Sequence, residues 1–383
     1  MLKEIIMLTS KKSMSHQPTA TVADKKVRFY EIDLLRFLAA FAVVLFHYTF
    51  RGYVQGGYSP VEFPILDDFS RYGYLGVHLF FIISGFVILL SAMNRSAIKF
   101  AISRIVRLYP AFWAGVTISA LVIFFFGAPV FSVSLMQYVS NLSMVSGYLG
   151  VEAIDGVYWT LLVELKFYAL IFALLLIKQI NKIEMFLAGW LVYVVMSILI
   201  PMPKLLNFLL FPEWAPLFIS GALFYLISAK GLSTSRGFLL LAAFVLALHN
   251  VVIETGELTV YYHAAFNKFI PLLWLVLFYL FFTLISFHKT SWIRSPLLVK
   301  VGILTYPLYL IHQNIGFIGF NRFGDSINKY ALLFILIAVM LVASWLIHTQ
   351  VEKKLGPVLK RFLMRFDFTA SKSTELGTNP NIS

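Results

Sequence analysis

The chain has 383 residues, of which 60% are hydrophobic and 13% charged, with a net charge of +13 and no cysteine. A soluble domain is closer to half apolar and a quarter charged, so this composition indicates a protein that crosses a membrane several times. The lack of cysteine excludes disulfides, a thiol nucleophile and a thiolate metal site. We attribute the positive charge to loops that face an anionic membrane surface rather than to nucleic acid binding.

Ten apolar runs of roughly membrane-spanning length predict ten transmembrane helices in an all-α polytopic protein. In chain order the runs are 31–50, 73–92, 108–127, 157–177, 185–200, 207–228, 237–253, 269–287, 301–320 and 330–350. The run 185–200 is short, and 207–228 is interrupted by Pro212, Glu213 and Pro216. No internal repeat is visible.

Lysine and arginine are distributed unevenly between the two sets of loops. If the N-terminus is cytoplasmic, the tails and the loops on its side hold 23 of the 31 basic residues, and the opposite loops hold six. This asymmetry predicts that both termini are cytoplasmic, with an even number of helices in the cell (inner) membrane. The predicted ten-helix domain, 31–350, lies between a basic N-terminal tail, 1–30, and a C-terminal tail, 351–383, that is basic and then disordered.

The first predicted helix carries ionisable side chains, which are costly at membrane depth and by default mark a functional site. Arg36 and His47 are eleven residues apart, so they share a helix face and lie roughly 16 Å apart along the axis. Asp33 precedes Arg36 by three residues and can pair with it. Because imidazole titrates near neutrality, His47 is the candidate general base. The alternatives are a histidine that only joins two helices and an Asp33–Arg36 pair that is only structural.

Two further arginines, Arg104 and Arg107, precede the third predicted span and are three residues apart. On a helix they share one face, and guanidinium groups match the geometry of phosphates. They are therefore candidate ligands for a polyphosphate. The alternative is that they are the basic residues expected at any cytoplasmic loop end.

The fourth predicted span begins near Trp159 and carries Glu164 in its outer half, at about the depth of the histidine of the first span. This carboxylate could support a histidine or bind an acceptor hydroxyl, and its sequence neighbour Lys166 points to another face. The alternative is a structural hydrogen bond to another helix.

The ninth predicted span contains Tyr306, Tyr309 and His312 at spacings of three residues. Hydroxyl, aromatic and imidazole groups at this spacing could line a groove for the acceptor, although tyrosines are also common at bilayer interfaces. We interpret His78 in the second span as mainly structural. The sequence shows no metal-ligand spacing, no phosphate-binding glycine loop and no serine-centred nucleophile motif.

Together these segments resemble the acyltransferase 3 family of integral membrane acyltransferases. The matching segments are Arg36 with His47, then Gly76–Phe86, Arg104–Pro110, Trp159–Tyr168 and Thr305–His312. Thr160 and Thr305 stand where the family usually has serine, and Lys166 where it often has glutamine. The resemblance covers about 31 to 355, almost the whole chain.

This resemblance implies transfer of an acyl group, usually acetyl, from cytoplasmic acyl-CoA to a hydroxyl of a carbohydrate or lipid-linked glycan of the cell envelope. It implies that His47 is essential and that Arg36, Arg104 and Arg107 serve donor binding. We expect Glu164 to assist His47. Acyl-CoA is then a substrate, and no tightly bound cofactor or metal is expected.

On the acceptor side we expect Trp159, Tyr306 and His312 to contribute. Some members of the family carry a C-terminal extracytoplasmic domain, and no such domain follows the tenth span here. We therefore expect the protein to act alone or with a separate extracytoplasmic partner.

Two classes of function other than an enzyme stay open at this point. Buried arginine, glutamate and histidine also suit a proton-coupled transporter or an exporter of an envelope precursor. The other class is a catalytically silent relative that only binds a precursor.

Overall fold

The computed structural model describes residues 29–55 and 57–366, which fold into helices and connecting turns without a strand. The long helices are α1 (Tyr30–Phe46), α2 (Leu75–Ala92), α3 (Ala97–Phe126), α4 (Trp159–Leu176), α5 (Ile183–Leu199), α6 (Ala215–Lys230), α7 (Thr234–Tyr262), α8 (Phe269–Ser286), α9 (Thr305–Phe323), α10 (Lys329–Leu346) and α11 (Lys353–Met364). Short helices at Gly52–Val54, Pro64–Ser70, Leu135–Asn141, Lys204–Leu210 and Pro296–Gly302 connect them. Two π-helical turns, His47–Arg51 and Ile347–Glu352, follow α1 and α10.

Nine helical stretches of the described part are long and apolar enough to cross a membrane, and they contain α1 to α8 and α10. The prediction of an all-α, multi-pass membrane protein is confirmed. The ninth predicted span, 301–320, does form a helix, α9, but α9 is too polar to be one of the nine.

Helix α9 nevertheless extends over the same depth as the apolar part of α3. Near its start, the Tyr306 hydroxyl donates to the carbonyl of Leu108 (3.2 Å). Near its end, the Arg322 guanidinium donates to the carbonyl of Phe126 (3.1 Å). The two helices therefore run in parallel, and α9 raises the number of helices that cross the bundle from nine to ten.

The polarity of α9 is tolerated because the helix is enclosed by the others. Fourteen of its nineteen residues are buried, and it packs most closely on α3, α10 and α1. The Asn314 amide donates to the carbonyl of Ile154 (2.8 Å), and the hydroxyl of Tyr158 donates to the carbonyl of Leu310 (3.2 Å). A helix at membrane depth needs such partners within the protein, since lipid offers none.

Several predicted boundaries differ from the structure, and two of the differences have a clear local cause. Helix α3 begins eleven residues before the predicted 108, because the Ser96 hydroxyl caps it by accepting from the amide of Lys99 (3.3 Å). Its first turns carry charges, so a search for apolar runs misses them. The predicted span 207–228 is broken around Pro212 into Lys204–Leu210 and α6.

The basic part of the C-terminal tail is helical as far as Met364, because α10 continues through a π-helical turn into α11. The end that we predicted to be disordered, 367–383, and the N-terminal tail, 1–28, lie outside the described residues.

Polar contacts that involve helix ends occur at both ends of the bundle. At one end Arg236 pairs with Glu184 (3.0 Å). At the other end Lys329 donates to the carbonyl of Glu62 (2.9 Å). This division fits ten crossings, while the assignment of the first end to the cytoplasm stays a prediction.

Helix α2 approaches α6 so closely that the backbones touch. A Cβ atom added to Gly85 would lie 2.1 Å from the carbonyl oxygen of Phe218, and one added to Gly221 would lie 2.0 Å from that of Ile82. Small residues allow such packing between membrane helices, where there is little hydrophobic driving force for association. This pair of helices therefore holds the centre of the bundle together.

We expect Gly85→Ala and Gly221→Ala to destabilise the protein by about 1–3 kcal/mol each, because the methyl group meets backbone atoms that cannot move aside. The apparent Tm in detergent measures the effect. Gly189→Ala is the matched control, since a Cβ there meets no atom within 4 Å. Equal Tm values for all three variants would contradict the packing argument.

Candidate active site

One cavity gathers most of the polar residues that the sequence analysis selected. It lies among α1, α2, α3, α4 and α9. Its polar lining comprises Arg36, Ser84, Arg104, Arg107, Thr160, Glu164, Tyr168, Thr305, Tyr306 and Tyr309. The structure thus brings the three predicted donor-binding arginines together with Glu164 and Tyr306. We call this space the arginine cavity.

Two of the three arginines face carboxylates. Arg36 lies 4.0 Å from Asp33, the partner expected from their spacing on α1. Arg107 lies 3.4 Å from Glu352, in the π-helical turn that leads into α11. The second pair could not be predicted, because its members are far apart in the chain.

Aromatic rings support the guanidinium groups of α3. Arg104 lies over the rings of Phe100 and Tyr168 at 5.9 and 5.8 Å from their centroids. Arg107 lies over the ring of Tyr306 at 5.4 Å. Such cation–π contacts hold the side chains in place while leaving hydrogen-bond donors for a ligand.

Glu164 belongs to the arginine cavity and not to the surroundings of His47. Its carboxylate accepts hydrogen bonds from the hydroxyls of Ser84 and Tyr168, both at 2.8 Å. The expectation that its partner lies on another helix fits Ser84, which is on α2. Three guanidinium groups and one carboxylate leave the lining with a net positive charge.

His47 does not line the arginine cavity but forms a buried pair with His312 of α9. The Nδ1 atom of His47 lies 2.8 Å from the carbonyl of Val43 and 3.1 Å from Nε2 of His312. The Nδ1 atom of His312 lies 2.9 Å from the carbonyl of Tyr309. Carbonyl oxygens only accept, so in the neutral pair both rings carry their proton on Nδ1.

This arrangement leaves Nε2 as the basic nitrogen of His47, and Arg51 already donates to it. The Arg51 guanidinium lies 3.2 Å from Nε2 of His47 and 3.2 Å from the amide oxygen of Gln313. An acceptor hydroxyl that uses His47 as its base must therefore take the place of Arg51.

The π-helical turn that follows α1 sets the position of both groups. Residues His47–Arg51 widen the helix at the point where α1 meets α9, and single π turns are frequent at functional sites. The Tyr48 hydroxyl donates to the carbonyl of His312 (2.8 Å). Its ring fits against Gly316, where a Cβ would lie only 2.1 Å away.

Tyr309 separates the arginine cavity from the histidine pair. It lines the cavity, and its ring centroid lies 5.7 Å from that of His312. Its hydroxyl is held by Thr160 (2.8 Å) and the carbonyl of Val157 (3.3 Å). The two halves of the site are therefore neighbours that share one side chain.

The predicted acceptor-side residues are divided by the structure. Tyr306 lines the arginine cavity, and His312 contacts His47. Trp159 is 41% exposed and packs on Trp214, with ring centroids 5.4 Å apart. It does not line the arginine cavity.

Sequence reasoning missed Arg51, Gln313 and Asp155. Arg51 follows His47 by four residues, a spacing that would have revealed it. Asp155 is fully buried and accepts hydrogen bonds from the backbone amides of Asn314 (3.0 Å) and Val157 (3.2 Å). Burial raises the pKa of Asp155 to about 6, although these amides and Arg51 oppose the rise. No local pattern indicates that a loop aspartate will dock on a distant helix.

The fold and the enclosed polar site define a multi-pass membrane protein whose charged groups face the interior of the bundle. The family model of an acyltransferase domain matches residues 29–349, and the chain belongs to this family, acyltransferase 3. Acyltransferase MdmB of Streptomyces mycarofaciens is 25% identical over 371 residues, which cover 88% of this chain and 93% of the relative. No solved structure matches significantly. Membership supports acyl transfer as the activity.

The raised pKa of Asp155 predicts a pH dependence of stability. The folded protein binds a proton more tightly than the unfolded chain between the usual value of 3.8 and about 6. The free energy of unfolding should therefore fall by about 3 kcal/mol as the pH rises through this range. Asp155→Asn cannot titrate, so the stability difference between the wild type and this variant should change with pH. A difference that is constant from pH 4 to 7 would contradict the assignment.

Proposed function

We propose that this protein transfers an acyl group from acyl-CoA, bound at the arginine cavity, to a hydroxyl group bound at the His47–His312 pair. The observation that carries the proposal is the contact between these two regions through Tyr309. A phosphate-binding region and a candidate base are thus adjacent inside one bundle. Membership of an acyltransferase family supplies the reaction class.

The arginine cavity suits the donor. Two guanidinium groups on one turn of α3, with Arg36 close by, provide charge and paired donors for the phosphates of a nucleotide carrier. Glu352 lies beside Arg107, so donor phosphates would exchange with this carboxylate. By the distribution of basic loops, this end of the bundle would face the cytoplasm, where acyl-CoA is available.

The histidine pair suits deprotonation of the acceptor. The Nε2 atom of His47 takes the proton of the acceptor hydroxyl while the hydroxyl oxygen attacks the thioester carbonyl. The carbon–sulfur bond breaks, the ester forms, and the CoA thiolate leaves and takes up a proton. His312 is a positioning residue, since its Nε2 faces Nδ1 of His47 and keeps the basic nitrogen on the opposite side of that ring.

A covalent route uses the same atoms in two steps. The Nε2 atom of His47 first attacks the thioester carbonyl, the carbon–sulfur bond breaks, and the CoA thiolate leaves. The acceptor hydroxyl then attacks the acylated imidazole, the neutral ring leaves, and the hydroxyl proton passes to the thiolate. Both routes need Arg51 to move away from Nε2. They differ in whether an acyl-enzyme forms without the acceptor.

The identities of the two substrates belong to the same proposal. We infer an acetyl donor and a hydroxyl on a carbohydrate or lipid-linked glycan of the cell envelope, with the protein in the inner membrane. Support comes from the resemblance and from a reaction site enclosed by membrane helices.

His47→Ala should lower acyl transfer at least about a hundredfold, because general base catalysis is worth that much or more. The measurement is turnover of radiolabelled acetyl-CoA by purified protein with an envelope glycan fraction. His249→Ala is a matched control, since His249 lies on the exposed side of α7. Full activity of the folded His47 variant would exclude the mechanism, and solute flux without acyl transfer would favour a transporter.

Arg104→Ala with Arg107→Ala should weaken acyl-CoA binding by at least about tenfold, the loss expected from one charge-assisted hydrogen bond. Calorimetry on detergent-solubilised protein gives the Kd. Arg294→Ala is the control, because this arginine lies at the same end of the bundle but outside the cavity. An unchanged Kd in the double variant would show that neither arginine binds the donor and would favour the alternative, that they are ordinary basic residues at a cytoplasmic loop end.

A further inference from the structure

A second cavity lies among α2, α6 and α7, and the proposed mechanism does not use it. Its volume is about 200 Å³. Its polar and aromatic lining comprises His78, Glu213, Trp214, Asn250, Glu254 and Glu257. We call it the acidic cavity. It is distinct from the arginine cavity, which lies on the side of α2 that carries Ser84.

The three carboxylates of the acidic cavity have no lysine or arginine within ion-pair distance in the part of the chain that the structure describes. Glu254 is partly buried, and Glu213 and Glu257 are exposed at the mouth of the cavity. The Lys166 ammonium lies over the ring of Phe208 at 4.3 Å. In a chain of net charge +13, a cavity with three acidic groups and one imidazole is an exception that a cation would explain.

Two buried polar atoms in this cavity lack a hydrogen-bond partner. They are Nδ1 of His78 and Oε2 of Glu254. The Nε2 atom of His78 is 2.8 Å from this oxygen, but the two groups are not aligned for a hydrogen bond. His78 is 3% exposed, and a buried nitrogen without a partner costs about 1–3 kcal/mol unless a ligand satisfies it. We therefore revise the interpretation of His78 as mainly structural.

The acidic cavity lies at the same end of the bundle as the histidine pair. A series of ring contacts leads from His78 to Tyr74 (5.9 Å), then to Phe46 (6.0 Å) and to His47 (5.2 Å). Trp214 presents its indole to the cavity, with its ring 5.4 Å from that of His78. An aromatic ring beside carboxylates is a favourable neighbour for an organic cation.

We propose that the acidic cavity binds an organic ammonium group, held by Glu213, Glu254 and Glu257 beside the indole of Trp214. As a statement about the acceptor it rests on the proposed function: the acceptor would carry a protonated amine as well as the hydroxyl that is acylated. The binding itself does not depend on the reaction. A metal ion is the weaker occupant, because no group of histidine, aspartate and glutamate in the described residues is arranged to hold one.

The test is calorimetric binding to the full chain in lipid nanodiscs, without acyl-CoA. The probes are choline and cyclohexylammonium, each paired with its neutral isostere, 3,3-dimethylbutanol or cyclohexanol. We expect at least one cation to bind about tenfold or more tightly than its isostere, as charge-assisted contacts predict. Glu254→Gln with Glu257→Gln should abolish this preference.

Three controls separate this proposal from others. Glu152→Gln, in an exposed loop, should retain cation binding. His47→Ala should also retain it, so loss of acyl transfer and loss of cation binding are separate results. Trp214→Leu should weaken both cations more than it weakens their isosteres. Equal binding of cation and isostere, or binding that survives the double glutamine variant, would overturn the proposal.

Discussion

Hydrogen bonds between α9 and its neighbours fix the position of this helix, and the candidate site depends on that position. This helix carries polar groups that lipid could not satisfy with hydrogen bonds. It is enclosed by α1, α3 and α10, which keep these groups away from lipid. The hydroxyl of Tyr48 reaches the carbonyl of His312, and Asp155 accepts from the backbone of Asn314. The first bond fixes the rotation of α9 relative to α1, and the second ties α9 to the segment that precedes α4. The same rotation brings His312 against His47, so the geometry of the candidate base follows from the need to satisfy a polar helix.

Helix α2 acts as a partition between two polar cavities. Glycines let it touch the backbones of α1 and α6, as the contacts of Gly76 and Gly85 show. Ser84 then reaches the arginine cavity on one side of α2, while His78 reaches the acidic cavity on another. The close packing of α2 on both neighbours leaves the two cavities on different sides of the helix.

Much of the fold follows from the sequence, because apolar runs of membrane length have few alternatives. The predicted span 301–320 is found as α9, although only its enclosure by other helices makes it tolerable. The sequence predicted the interruption at Pro212, whereas it did not predict that α3 begins in a charged segment before residue 108. Within the site, spacing predicted that Arg104 and Arg107 share one helix face, and both line the arginine cavity. It could not predict the π-helical turn at His47–Arg51, because a one-residue widening of a helix depends on its neighbours.

The segregation of charge gives the bundle a direction. Guanidinium groups line one cavity and carboxylates another, nearer the histidine pair, and the charges that are partly buried interact more strongly than they would in water. A donor with phosphates is attracted to the first region and repelled by the second, and an acceptor with an ammonium group experiences the reverse. Each substrate would then be oriented by the end that carries its charge, which leaves its neutral reacting group towards the middle of the bundle. The candidate base lies on the side of the acidic cavity, and the ring of Tyr309 separates it from the arginine cavity. Substrates that are oriented in this way lose less entropy on reaching the transition state of acyl transfer. The activation free energy is therefore lower even though the orienting groups do not contact the reacting atoms.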